Sequence, residues 1–132
     1  MNRTLSILLV EDDPDDIELM HDALKENNIQ FSLETIKQGD AVLPYLENTA
    51  PKPDVIVLDL NLPKMHGREV LKGIKSNPHT SNIPVIILTT SSVKKEMDYC
   101  IQNGASQYLI KPVTMQGFTD TVNSIVNAVS KN

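Results

Sequence analysis

Three short apolar runs without polar alternation constrain the fold of this chain more than any other feature. They read Ile-Leu-Leu-Val at 7–10, Val-Ile-Val-Leu at 55–58 and Val-Ile-Ile-Leu at 85–88. Strands that are buried on both faces have this pattern, which is typical of a parallel sheet covered by helices on both sides. Two further runs complete a set of predicted strands at Leu5–Val10, Phe31–Ile36, Val55–Leu58, 85–88 and 108–110. The run Phe31–Ile36 alternates between apolar and polar residues, which favours an edge strand.

Helical patterns lie between and after these strands. Apolar residues recur at helical spacing in residues 14–27 and 114–130, which predicts amphipathic helices there. Weaker patterns predict helices at 40–48, 66–76 and 94–103, the first provided that Pro44 lies in its first turn. Alternating strands and helices predict a doubly wound α/β fold, and the length predicts a single domain over residues 1–132. In such sheets the site lies at the carboxyl ends of the strands.

Charge is distributed unevenly along the chain, which has a net charge of −5. Residues 1–66 hold thirteen acidic and five basic side chains, whereas residues 67–132 hold four and seven. Seven acids lie between Glu11 and Asp22 with no lysine or arginine among them, which argues against nucleic-acid binding. This acidic run suits either a solvated helix start or a cation site, and both interpretations stay open at this point.

Two features bear on the cellular location. A single cysteine, Cys100, excludes an internal disulfide and fits a reducing cytosol. The apolar run Leu5–Val10 is too short for a signal peptide or a membrane span. We therefore expect a cytoplasmic protein without a membrane partner.

Polar residues follow four of the predicted strands. They are Glu11, Asp12 and Asp13 after the first strand, Asp59 after the third, Thr89, Thr90 and Ser91 after the fourth, and Lys111 with Pro112 after the fifth. Because these strand ends meet at one edge of a parallel sheet, we expect carboxylates, hydroxyls and an ammonium together there. Clustered carboxylates need a neutralising partner, and a set of oxygen ligands suits Mg²⁺ rather than zinc.

Such a cluster can carry phosphoryl chemistry. A carboxylate beside Mg²⁺ can attack a phosphoryl group in line, while the metal, an ammonium and a hydroxyl hold the equatorial oxygens. Asp59 is the best acceptor candidate, because it ends an apolar strand that fixes its position. The acids at 11–13 are better suited to holding the cation.

Four segments carry a resemblance to a known family. They read Ile-Leu-Leu-Val-Glu-Asp-Asp at 7–13, Val-Leu-Asp-Leu-Asn-Leu-Pro at 57–63 with Gly67, Ile-Ile-Leu-Thr-Thr-Ser at 86–91 and Tyr-Leu-Ile-Lys-Pro at 108–112. With them the chain resembles the receiver domain of bacterial two-component response regulators. The resemblance implies a CheY-like, flavodoxin-type (βα)5 fold with a five-stranded parallel sheet of order 2-1-3-4-5. Residues 58–71 and 82–91 are further similar to the small response regulators that partner bacterial phytochromes.

The resemblance implies a metal site around the phosphoacceptor. Asp59 would be the phosphoacceptor, Asp12 a direct ligand of Mg²⁺ and Glu11 a ligand through water. The backbone carbonyl of Asn61 would complete the protein ligands. Whether Asp13 also takes part is left open, and a role at the start of the helix is the alternative.

The resemblance also implies a switch. Thr89 would bind a phosphoryl oxygen, and Lys111 would pair with the phosphate. Tyr108 would turn inward behind Thr89, or else it is an ordinary edge-strand aromatic residue. Lys111–Pro112 is a candidate for a cis peptide bond.

The implied partner is a sensor histidine kinase, phytochrome-like kinases included, or a histidine phosphotransfer protein. We expect no output domain, since the chain ends shortly after its fifth helix. The expected function is a phosphorylation-controlled interaction switch or a phosphorelay carrier, and not an enzyme with an external substrate. A homodimer through the fourth helix, fifth strand and fifth helix is a further expectation.

Three other functions share this fold class or this chemistry. A flavin carrier needs a phosphate-binding loop after the first strand, but Glu-Asp-Asp-Pro at 11–14 would repel phosphate without a metal. A phosphatase of the haloacid dehalogenase type needs a second Asp two residues after the nucleophile, where this chain has Asn61. A receiver domain that serves for docking alone, with Asp59 never phosphorylated, is the alternative that the sequence leaves open.

Overall fold

Five strands and five helices alternate along the computed structural model, which describes residues 4–130. The strands are β1 (Leu5–Val10), β2 (Phe31–Ile36), β3 (Val55–Leu58), β4 (Val85–Thr89) and β5 (Gln107–Ile110). The helices are α1 (Pro14–Glu26), α2 (Val42–Asn48), α3 (Gly67–Ser76), α4 (Lys94–Gln102) and α5 (Met115–Ser130). A 3-10 turn, Gly39–Ala41, precedes α2.

All five strands are parallel and form one sheet of order β2-β1-β3-β4-β5. The predicted doubly wound fold and its strand order are confirmed. Strands β1 to β3 have the predicted bounds, whereas β4 includes Thr89 and β5 begins at Gln107. The predicted helices agree with the structure to within two residues at their ends. The predicted domain range 1–132 includes residues 1–3 and 131–132, which lie outside the described residues.

The two faces of the sheet carry separate buried cores. In β1, Leu8 and Val10 belong to one core, whereas Ile7 and Leu9 belong to the other. Helices α2, α3 and α4 cover the first face, and α1 and α5 cover the second. Fully burying a leucine or isoleucine side chain stabilises a fold by about 1.5–3 kcal/mol. Burial on both faces therefore explains why the central strands lack polar alternation.

The start of α1 is fixed by the residues that follow β1. Asp13 is the N-cap, and its Oδ1 accepts a hydrogen bond from the backbone N–H of Asp15 at 2.9 Å. Pro14 occupies the first helical position, where a missing N–H leaves no hydrogen bond unmade. Asp15 and Asp16 lie in the first turn, where acidic residues suit the helix dipole.

A glycine brings the start of α3 against the end of β3. A Cβ at Gly67 would lie 2.6 Å from the Cα of Leu60 and closer still to the carbonyl oxygen of Asp59. The N–H of Gly67 donates to the carbonyl of Leu60 at 2.8 Å. Since no side chain fits there, glycine is required for the loop to take this path beyond Asp59.

Two expectations about prolines have different outcomes. Pro44 is the third residue of α2 and lies in its first turn, so it is compatible with the helix. The predicted cis bond at Lys111–Pro112 is wrong, because the cis peptide bond within residues 4–130 is Ala50–Pro51. The trans form of an X–Pro bond is favoured by about 0.5–1 kcal/mol, so the residue pair alone does not determine the isomer.

Membrane insertion through a helix was not expected from the sequence. Within residues 4–130, no helix has the length and hydropathy that a membrane crossing requires.

Candidate functional site

The carboxyl ends of β1, β3, β4 and β5 bring the predicted site residues to one edge of the sheet. Backbone hydrogen bonds continue the sheet just beyond the strands. The N–H of Asp59 donates to the carbonyl of Val10 at 3.0 Å, and the N–H of Lys111 donates to that of Thr89 at 2.8 Å. These bonds fix the main chain at both residues, so the position of the short Asp59 side chain depends on only two rotatable bonds.

The ammonium of Lys111 lies at the centre of this edge. Its Nζ is 2.9 Å from Oε1 of Glu11 and 3.2 Å from Oδ2 of Asp59. A third carboxylate is nearer still, with Oδ2 of Asp16 at 2.8 Å. The Lys111 side chain is 13% exposed, and those of Glu11 and Asp59 are 4% and 5% exposed. This edge of the sheet therefore holds a largely buried ion-pair network in which one ammonium contacts three carboxylates.

Three carboxylates at this edge could hold a metal ion. One oxygen from each of Glu11, Asp12 and Asp59 lies within 4.8 Å of the other two. Glu11 and Asp59 are buried, whereas Asp12 is exposed. The cluster offers oxygen ligands beside solvent, which suits a hard divalent cation that keeps several waters. The predicted grouping of these residues is thus present, and its chemistry fits Mg²⁺.

Burial perturbs two of the charged groups. It raises the pKa of Glu11 to about 7, against the opposing effect of the Lys111 ammonium, and the negative charge of Asp59 adds to the rise. Burial alone would lower the pKa of Lys111, but its hydrogen bonds to Asp16 and Glu11 outweigh that effect and hold the pKa above its usual range. Lys111 therefore stays protonated, and its ion pair with Glu11 opposes the effect of burial on that carboxyl.

The hydroxyl of Thr89 is buried without a partner. Thr89 ends β4 and is fully buried, and its Oγ1 has no hydrogen-bond partner within the described part of the chain. Leaving a buried hydroxyl unsatisfied costs about 1–3 kcal/mol. Native structures rarely keep a buried polar group without a partner, and binding of a ligand with an acceptor oxygen is one explanation for such a group.

Tyr108 connects the edge strand β5 to the loop between β4 and α4. Its hydroxyl donates to the carbonyl of Ser91 at 2.9 Å. The ring is partly buried against the core that α2, α3 and α4 cover. Tyr108 is therefore both an edge-strand aromatic residue and a contact to the loop that begins beyond Thr89.

Two predicted positions lie beside the carboxylate cluster. The N–H of Asn61 donates to Oδ1 of Asp59 at 3.3 Å, so this residue borders the acceptor candidate. The ligand role of its carbonyl stays a prediction. Asp13 is the N-cap of α1, and the three acids grouped around a possible metal position do not include it.

Asp16 is the residue that the sequence analysis missed. It was counted within the acidic run but was given no role, although its carboxylate makes the shortest contact to Lys111. One signal was available, because Asp16 is the third residue of a helix that starts directly after the acids at 11–13. A residue at that position is still near the end of β1.

The strand order and the acidic edge, with a lysine and a threonine at neighbouring strand ends, are those of a receiver domain. A model of the response regulator receiver domain matches residues 7–123, and the chain belongs to that family. Receiver domains act in two-component signalling, where accepting a phosphoryl group is their standard role and Mg²⁺ binds at their acidic cluster.

Within this family, the chain is similar to response regulators that are associated with phytochromes. The response regulator Rcp1 of Synechocystis sp. is 37% identical over 124 residues, which cover 90% of this chain and 84% of Rcp1. The solved structure of the phosphorylated cyanobacterial phytochrome response regulator RcpA matches with a TM-score of 0.85 at 34% identity, over 93% of this chain and 91% of RcpA. The Mn²⁺-bound form of Rcp1 matches with a TM-score of 0.82 at 36% identity, over 92% and 91%. The similarity to small phytochrome-associated regulators is confirmed.

Proposed function

We propose that Asp59 of this chain accepts a phosphoryl group from the phosphohistidine of a sensor histidine kinase. The main support is the hydrogen bond from Lys111 Nζ to Oδ2 of Asp59, beside acids that can hold a metal. An ammonium held against the acceptor is placed to stabilise negative charge on a phosphoryl group. The buried position of Asp59 at a strand end keeps the attacking oxygen in place.

The proposed step is an in-line displacement. An oxygen of Asp59 attacks phosphorus, so that an O–P bond forms and the N–P bond of the phosphohistidine breaks. The imidazole leaves with the electron pair of that bond and takes up a proton. Lys111 and the hydroxyl of Thr89 stabilise two of the phosphoryl oxygens.

The metal site that we propose consists of Glu11, Asp12 and Asp59, with the carbonyl of Asn61 as a further ligand. When bound there, Mg²⁺ supplies positive charge to the phosphoryl oxygens and to the clustered carboxylates. The donor set supports this assignment, because three carboxylates with oxygens close together offer the hard oxygen ligands that Mg²⁺ prefers.

The output that we propose is a change in the loop between β4 and α4. Thr89 gains a partner when its hydroxyl donates to a phosphoryl oxygen, and the loop moves toward Asp59 with it. Tyr108 then gives up its bond to the carbonyl of Ser91 and turns inward behind Thr89. The exposed face of α4, β5 and α5 carries this change to a partner.

The proposed partner is a phytochrome-type histidine kinase or a histidine phosphotransfer protein in the cytoplasm. The relatives support the kinase, since RcpA is a cyanobacterial phytochrome response regulator. The acidic edge favours a partner with basic contacts around its histidine. Phosphoryl transfer of this kind uses no external turnover substrate.

We also propose a homodimer through α4, β5 and α5. The support is apolar exposure on each of these elements, with Ile101, Ile110 and Met115 exposed by 50%, 45% and 45%. Interaction surfaces contain exposed apolar side chains that lie together in one patch, and these three residues are the candidates for such a patch on α4, β5 and α5.

Intact mass after incubation with Mg²⁺ and acetyl phosphate tests the phosphoacceptor. We expect one added phosphoryl group on the wild type, none on Asp59→Asn, and none when a chelator is present. Asp98→Asn is the matched control, because Asp98 is an exposed acid on α4, and it should gain the group as the wild type does. No mass gain in folded wild-type protein would refute the proposal and indicate a domain that serves for docking alone.

A further inference from the structure

Asp16 makes a contact that the proposed function does not use. Its Oδ2 lies 2.8 Å from Nζ of Lys111, which is shorter than the 3.2 Å to Oδ2 of Asp59. The contact joins the first turn of α1 to the residue that follows β5. Asp16 is 27% exposed, so water reaches this partner of the ammonium more easily than it reaches Asp59.

The donors of the lysine match the carboxylates around it. An ammonium has three N–H donors, and three carboxylates lie within 3.2 Å of Nζ. Two of them, Glu11 and Asp59, belong to the group that could hold a metal ion, whereas Asp16 does not. A bound metal and a phosphoryl group on Asp59 would therefore engage the first two carboxylates and leave the third with the lysine.

We propose that Asp16 is a positioning residue, which holds the ammonium of Lys111 beside Asp59 during phosphoryl transfer. The inference rests on the proposed role of Asp59 as phosphoacceptor. A lysine side chain has a flexible stem of four methylene groups, and ordering it costs conformational entropy. The contact to Asp16 orders that stem before the reaction, so the ammonium is already in place when the phosphoryl group arrives.

The negative charge of Asp16 has an opposite effect, because it lies near the incoming phosphoryl group. That repulsion is reduced by the Lys111 ammonium, which forms a close ion pair with the same carboxylate. We therefore expect positioning to outweigh repulsion, and loss of the Asp16 side chain to slow the reaction. If repulsion were the larger effect, the same variant would react faster than the wild type.

The experiment measures the phosphorylation rate by intact mass against acetyl phosphate concentration at saturating Mg²⁺. Asp16→Ala should lower the maximal rate about five- to tenfold, the size of one charge-assisted hydrogen bond partly lost. Asp16→Asn keeps an acceptor oxygen, so its maximal phosphorylation rate should lie between those of Asp16→Ala and the wild type. Asp15→Ala is the matched control, because Asp15 is an exposed acid in the same turn of α1, and it should react at the wild-type rate.

Two further measurements distinguish positioning from a general structural effect. In a Lys111→Met background, Asp16→Ala should change the rate by less than about twofold, because the side chain acts through Lys111. Binding of Mg²⁺ by titration calorimetry should be similar for Asp16→Ala and Asp15→Ala, since neither residue belongs to the metal group. Thermal unfolding of each variant shows that it is folded, and Asp16→Asn replaces Asp16→Ala if the latter is not.

Each outcome decides one question. Phosphorylation of Asp16→Ala at or above the wild-type rate would overturn the inference and leave the proposed function intact. An equal loss in the Lys111→Met background would also overturn it, since Asp16 would then act independently of the lysine. Wild-type protein that accepts no phosphoryl group would instead refute the proposed function of Asp59.

Discussion

Replacing Thr89 with valine tests whether the unpartnered hydroxyl destabilises the resting protein. Thr89 is fully buried, and its Oγ1 has no hydrogen-bond partner within residues 4–130. Valine has nearly the same shape and removes the hydroxyl, and with it a cost of about 1–3 kcal/mol. We expect Thr89→Val to raise the free energy of unfolding by about 1–2 kcal/mol, which corresponds to a Tm increase of about 4–8 °C for a chain of this length.

A second threonine supplies the matched control. Thr80 is also buried, but its Oγ1 donates to the carbonyl of Ile74 at 2.7 Å. Thr80→Val should therefore lower the free energy of unfolding by about 1–2 kcal/mol, the opposite sign. Two separate assays of metal-free protein apply: urea denaturation gives the free energy of unfolding, and thermal unfolding gives the Tm. If Thr89→Val destabilised the protein as much as Thr80→Val, the hydroxyl would have a partner and the reasoning would be wrong.

The same substitution should impair the reaction. With no hydroxyl to donate to a phosphoryl oxygen, Thr89→Val should accept the group from acetyl phosphate more slowly than the wild type, although it is more stable. Opposite changes in stability and rate are expected where a fold keeps an unsatisfied group for its ligand. A variant that is both more stable and fully active would contradict the proposed role of Thr89.

Three further predictions concern other parts of the structure. In metal-free protein, the free energy of unfolding should fall as pH rises from 5 to 8. Folding raises the pKa of Glu11 to about 7, so ionisation of this carboxyl over that range favours the unfolded chain. Glu11→Gln removes the titrating group and should flatten this pH dependence. Tyr108→Ala should leave phosphorylation of Asp59 intact and weaken partner binding, measured by calorimetry with the phosphorylated protein. A double-mutant cycle on Arg68 and Glu96, 3.5 Å apart between α3 and α4, should give a coupling below about 1 kcal/mol, since Arg68 is 46% exposed.

The sheet could be predicted because one physical cause determines its sequence pattern. A strand such as Val55–Leu58 is covered on both faces, so each of its positions must be apolar. Polar residues can then return only beyond the strand, and Asp59 is the first of them. The same rule identified Glu11 after β1. Lys111 follows a short apolar run in the edge strand β5, whose residues are only partly buried or exposed.

The parts that could not be predicted depend on distances between elements. The ion pair of Asp16 and Lys111 joins residues 95 positions apart, and it depends on where the first turn of α1 lies relative to the residue that follows β5. The hydroxyl of Thr89 has no partner among the described residues, and this depends on the space around it, which the motif at 86–91 does not describe. Lys111–Pro112 is trans, and the motif could not decide this because the two isomers differ little in energy.

The resting site has three deficiencies, and the proposed ligands would relieve all of them. Within residues 4–130, carboxylates outnumber the one ammonium that contacts them, burial raises the pKa of Glu11, and the hydroxyl of Thr89 has no hydrogen-bond partner. A divalent cation neutralises the excess carboxylates, and a phosphoryl group on Asp59 gives the hydroxyl an acceptor. A ligand can shift a conformational equilibrium only by its difference in affinity for the two states. In one position of the β4–α4 loop, the Thr89 hydroxyl reaches the phosphoryl group and forms a hydrogen bond, whereas in the resting position it does not. This hydrogen bond can therefore supply the difference in affinity between the two states.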